Sequence, residues 1–66
     1  MKRYYLILDN LYRIVTILHT DDKNAWEQYD KGGIKVKTFI SRNSLAKYLD
    51  SKAVNGNSGR LDDMGL

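Results

Sequence analysis

The residues of this chain best suited to chemistry are cations interleaved with aromatic rings. Lys35, Lys37 and Phe39 alternate along one extended segment, and Tyr5, Tyr12 and Arg13, together with Arg3, could extend the same basic and aromatic surface. Lysines in such a pattern neutralise phosphates or carboxylates, and the rings stack on bases or anchor in a protein pocket. These six residues, Tyr5, Tyr12, Arg13, Lys35, Lys37 and Phe39, are the expected partner-binding set.

Catalytic chemistry has less to work with. A reaction centre needs a nucleophile or metal with a base held in reach. The single histidine, His19, reads as a structural or solvated residue at a strand end, and Asp21-Asp22 read as the acidic start of a helix. With no cysteine and one histidine, neither a disulfide nor a structural zinc site is expected. Lys31-Gly32-Gly33 and Gly56-Asn57-Ser58-Gly59 lack the flanking strand, helix and lysine spacing of a phosphate loop. The expectation is a non-catalytic protein without cofactor or metal.

The elements that position these residues centre on Gly33 to Ser41. Ile34, Val36, Thr38 and Ile40 alternate with Lys35, Lys37 and Phe39, the period of a half-buried strand. The sequence predicts that the first set faces the core and the second faces outward. Ser41 is competent to cap a helix running from Arg42 to about Ala53, with Ile40 and Leu45 placed to staple its start. Leu45, Ala46, Leu49 and Ala53 form its inner stripe, with Tyr48 at the edge.

Upstream, Lys2 to Leu8 and Leu11 to His19 read as two strands joined at Asp9-Asn10. Tyr4, Leu6 and Leu8 oppose Tyr5 and Ile7, so both faces of the first strand are apolar. That predicts cover on both sides or a second face that meets a partner. Lys23 to Lys31, between Thr20-Asp21-Asp22 and Gly32-Gly33, reads as a short helix with Ala25, Trp26 and Tyr29 inward. A strand over 25–30 is the competing assignment.

The resulting expectation is an α+β domain of order ββαβα over residues 1–54, with a three-stranded sheet, the first strand in the middle and the other two parallel to each other. Trp26, Tyr29, Leu45 and Leu49 would close the core over Ile34, Val36 and Ile40. The alternative is a four-stranded antiparallel meander with one helix. Residues 55–66 read as a flexible tail after the Asn55 to Gly59 turn cluster. Ser44 to Val54 begins as the first helix of a helix-turn-helix does, but Asn55 to Gly59 reads as a poor start for the second, recognition helix.

At 66 residues the chain is one domain with a thin stability margin, which favours a partner or a second copy of itself. Its net charge is +3 and its pI near 9.3, and the excess gathers on the central strand and its helix, where Lys35, Lys37, Arg42, Lys47 and Lys52 face only Asp50. No stretch is apolar enough for a signal-peptide core or a membrane span, so the expected address is cytoplasmic. The leading expectation of function is a small protein-interaction module, a regulator or inhibitor that occupies a partner protein's surface. Its length and its lysine, asparagine, tyrosine and isoleucine usage would suit a phage or mobile-element protein. The alternative is a basic nucleic-acid-binding protein using Lys35, Lys37 and Phe39.

Overall fold

The computed structural model describes residues 1–52 and 59–66. Its elements are β1 (Arg3–Leu8), β2 (Ile14–Thr20), a 3-10 turn (Ala25–Tyr29), β3 (Lys35–Phe39), α1 (Arg42–Lys52) and α2 (Gly59–Asp63). The sheet has the order β2-β1-β3, with β1 antiparallel to both neighbours, so β2 and β3 run parallel to each other on either side of it. The architecture is the expected α+β domain with a three-stranded sheet, and residues 25–30 do not form a fourth strand.

β1 takes the centre because it is the one strand apolar on both faces, and each of its residues from Tyr4 to Leu8 is buried. Tyr4, Leu6 and Leu8 join Ile17, Leu45, Leu49 and Leu61 in the main core. Tyr5 and Ile7 point to the other face, where the connection from β2 to β3 crosses and its 3-10 turn touches β1 and β2. Both faces of β1 are thus covered from within the chain.

The expected α-helix over Lys23 to Lys31 is a short 3-10 turn instead, and the reason is local. Asp22 N–H donates to Thr20 Oγ1, Asn24 N–H to Asp22 Oδ1, and Gly32 N–H to Asp30 Oδ1. These short polar side chains form turns at both ends of the segment, and between them the backbone closes i→i+3 bonds, Glu27 N–H to the Asn24 carbonyl and Asp30 N–H to the Glu27 carbonyl. Gly32 and Gly33, at φ +85 and +83, then swing the chain into β3 through a conformation other residues rarely adopt.

The facing of β3 is the reverse of the expected one. Phe39 pairs with Tyr4, Lys37 with Leu6 and Lys35 with Leu8, so these three lie on the side that α1 covers, and Phe39 packs against the core. Ile34 and Val36 are half-buried and Ile40 is 67% exposed. Leu45 and Leu49 therefore do not close over Ile34, Val36 and Ile40, and Trp26 and Tyr29 belong to the opposite face. An edge strand tolerates lysines on its inner side because their long stems lie along apolar surface while the ammonium groups reach water past the open edge.

α1 starts as expected, with the Ser44 N–H donating to Ser41 Oγ at 3.1 Å, although the exposed Ile40 leaves the staple open. Leu45, Ala46 and Leu49 face inward; the expected inner residue Ala53 lies outside the described residues.

The largest departure is at the C-terminal end. In the segment read as a tail, Gly59–Asp63 is helical and Leu61 is fully buried in the main core; 55–58 lie outside the described residues. Gly65, at φ +74, ends α2: its N–H donates to the Asp62 carbonyl and the Leu66 N–H to the Leu61 carbonyl. This paired pattern is a Schellman stop, and the accompanying apolar contact between Leu66 and the Leu61 region is present. Arg42 holds the segment to the start of α1, donating from Nε to the Leu66 carbonyl at 2.9 Å and from Nη2 to Asp62 Oδ1 at 2.6 Å.

Candidate interaction surface

The turn between β1 and β2 is built on Asp9. Its Oδ1 accepts from the Leu11 and Arg13 N–H groups at 2.9 Å each, and its Oδ2 accepts from Arg13 Nε at 2.8 Å. The Asp9 N–H donates to the Arg13 carbonyl, and the Tyr12 N–H to the Asp9 carbonyl. This is a three-residue hairpin loop whose last residue must be left-handed, and that residue is Tyr12, at φ 61. A left-handed tyrosine costs about 1–2 kcal/mol relative to a right-handed one, so the five hydrogen bonds around Asp9 hold a strained residue in place. β2 consequently begins at Ile14, and Leu11 to Arg13 belong to the loop.

Asp9 is held below its ordinary carboxylate value of 3.8, chiefly by the Arg13 backbone N–H; the Arg13 guanidinium and the Leu11 N–H act in the same direction, and partial desolvation opposes them. A depressed folded-state value means that Asp9 contributes stability above its unfolded-state value, and that the contribution disappears as pH falls through the lower folded-state value. Native protein is therefore expected to exceed an Asp9→Ala variant in melting temperature at neutral pH. The difference should shrink below pH 3.8 and vanish in stronger acid. Thermal melts of both proteins across that range check it, and a pH-independent difference would contradict the role given to the carboxylate.

Tyr12 is 55% exposed, and its ring lies 5.1 Å from Lys35 Nζ. Two residues along β3, Lys37 Nζ sits 5.5 Å from the Tyr48 ring, which in turn meets Phe39 at 5.4 Å with the rings tilted by 50°. The β3 edge of the sheet thus carries a stripe in the order Tyr12, Lys35, Lys37, Tyr48, Phe39. Each cation over a ring adds about 0.5–1 kcal/mol at such exposed positions. The stripe offers a large amphipathic contact area and two positive charges.

Of the six residues expected to form the partner site, four come together: Tyr12, Lys35, Lys37 and Phe39. Tyr5 does not, because it is buried under the 3-10 turn at 6% exposure. Arg13 is exposed, but its guanidinium is committed to Asp9 within the loop. Tyr48 is the member that the sequence reading missed. Its position at the flank of the apolar stripe of α1 was the available signal, since a flanking aromatic reaches the neighbouring strand edge. At the other edge of the sheet, His19 stacks on Tyr4 with ring centroids 4.1 Å apart and planes 2° from parallel.

Comparison of the chain with protein-family models, curated proteins and solved structures gives no match. No helix among the described residues is long and apolar enough to cross a membrane.

Proposed function

We propose that the protein is a small non-catalytic interaction module whose β3 edge docks on an acidic patch of a partner protein, in the manner of a regulator or inhibitor. The observation that carries this reading is Tyr12: an exposed aromatic, kept in a strained conformation by a rigid turn, with Lys35 beside it. A preordered aromatic loses little side-chain freedom on docking, and tyrosines are enriched among the residues that dominate interface energies. Lys35 and Lys37 select for carboxylates around the pocket that receives it.

Nucleic acid is the second reading, favoured by the alternation of Lys35 and Lys37 with rings on one face. Two features weigh against it. Arg13 is paired with Asp9, which leaves few cations on the stripe. Two phosphate contacts also give a shallow salt dependence, with a slope near −1.4 to −1.8, far below that of dedicated nucleic-acid binders. The rings, moreover, are partly taken up by the lysines above them.

The test is capture of partners by the tagged full chain from its source cells, with and without nuclease, in parallel with Tyr12→Ala and Lys35→Glu/Lys37→Glu variants. A protein retained after nuclease, and retained at least tenfold less by either variant, is the expected result. Retention that nuclease abolishes would replace this reading with nucleic-acid binding, and retention indifferent to all three substitutions would remove the β3 edge from the function.

A further inference from the structure

The two edges of the sheet differ in what they can accept. β2 is broken by a bulge, since Thr16 pairs with Ile7 and Ile14 with Leu8, which leaves Val15 unpaired and 48% exposed. A bulge disrupts the ladder and bends the strand, so it blunts that edge against a further strand. β3 keeps an unbroken register on β1 from Lys35 to Phe39. No strand lies on its far side, and among the described residues no turn or loop hydrogen-bonds to its backbone. A regular edge of this kind leaves N–H and C=O groups ready to pair.

What guards the β3 edge is charge. Lys35 and Lys37 share one face of the strand, and their ammonium groups lie against the Tyr12 and Tyr48 rings. Neither lysine has an ion-pair partner among the described residues. A ring occupies one side of an ammonium group and leaves donors for a carboxylate on the other. A strand laid along β3 sets alternate residues beside the two lysines, whether it runs parallel or antiparallel. Lysines at those positions are repelled and uncharged residues leave the ammonium groups without a counter-charge, whereas carboxylates pair with both. The two lysines that keep ordinary strands off this edge therefore select an acidic one.

We infer that the open edge of β3 takes an extended acidic segment of a partner protein by strand addition, with carboxylates at alternate positions beside Lys35 and Lys37, an inference that rests on the proposed function and specifies the acidic feature the stripe receives. Main-chain hydrogen bonds along the edge supply the affinity, and the two carboxylates fix the register. A slip of one residue would turn the carboxylates to the opposite face, away from both lysines. The intervening residues of the segment face the same way as the half-buried Val36, where apolar side chains extend its cover.

The experiment is titration of the isotope-labelled full chain with short blocked peptides, followed by NMR. One peptide is Thr-Glu-Val-Glu-Val-Glu-Thr; a second, Thr-Glu-Glu-Val-Val-Glu-Thr, has the same composition and charge, but no glutamates at alternate positions. The alternating peptide is expected to bind about fivefold more tightly or better, with shift changes centred on Lys35 to Phe39 and slowed amide exchange along that edge. N-methylation of either its glutamate or its valine amides, but not of both sets alike, should abolish binding, because only one edge of an added strand faces β3. A Lys35→Glu/Lys37→Glu variant should reverse the preference and favour the peptide with lysines in place of glutamates; if that variant fails to fold, the comparisons on the native chain still decide. Equal binding of the two glutamate peptides, binding by neither, or indifference to both methylations overturns the inference. So does a native chain that dimerises through β3, which would give the edge to a second copy. If a captured protein depends on Tyr12 and the lysines while no peptide is preferred, the partner offers a folded acidic surface, and the proposed function survives without strand addition. A captured protein indifferent to those substitutions removes the proposed function itself.

Discussion

A Leu61→Ala variant is expected to lose about 2–5 kcal/mol of stability, the range for removing a fully buried leucine side chain and leaving its space incompletely filled. The total available to a chain of 66 residues is only roughly 3–10 kcal/mol. A single substitution in this segment would therefore take away much of the fold. For a domain of this size the melting temperature should fall by about 10 °C or more, and urea unfolding should show a lower midpoint with little change in slope. The effect follows from Leu61 packing with Leu45 and Leu49 over Leu6 and Leu8, in a segment fixed by the Gly65 stop and the Arg42 contacts. An unchanged melting temperature would mean that residues 59–66 are not part of the cooperative unit.

Tyr5→Ala and Tyr12→Ala should behave as opposites despite their similar standing in the sequence. Tyr5 is nearly enclosed between the sheet and the 3-10 turn, and truncating it should cost about 3–5 kcal/mol, as for other buried aromatic residues. Any loss of partner binding by that variant would be secondary to unfolding. Tyr12 is exposed and strained, so its truncation forfeits a cation contact of about 0.5–1 kcal/mol and little else in the folded chain. Its effect should appear in partner retention. Chemical denaturation of the two variants beside the native protein checks the contrast; equal stabilities would remove the assignment of the second sheet face to the interior.

The difference between these tyrosines illustrates what one-dimensional pattern can and cannot carry. Alternation separated Tyr4, Leu6 and Leu8 from Tyr5 and Ile7 correctly, because side-chain direction along a strand is a local property. The same alternation in β3 divided Lys35, Lys37 and Phe39 from Ile34, Val36 and Ile40, but it could not say which set faces α1. That sign was set by the register of β3 on β1, with Phe39 opposite Tyr4, and by the position of β3 at an edge where inward lysines still reach water. At Val15 the bulge broke the period, so that Ile14 and Ile17 share the core side although their spacing is odd.

Local chemistry that was present in the sequence also explains the remaining departures. Thr20, Asp22 and Asp30 were placed to form side-chain turns, and these bound the 3-10 turn at both ends. Met64-Gly65-Leu66 was a helix stop with an apolar partner, legible only once Leu61 had somewhere to bury itself. By itself the sequence determined the strands, the Ser41 start of α1, the central place of β1 and the inner stripe of Leu45 and Leu49, since each depends on neighbouring residues or on a strand apolar on both sides. Tertiary structure alone decided which face each element covers, the burial of Tyr5 and Leu61, and the grouping of Tyr12, Lys35, Lys37 and Tyr48. Those outcomes depend on contacts between residues far apart in the chain, where hydrophobic burial rewards proximity of any kind and only the sheet's register and the available cover choose among the possibilities.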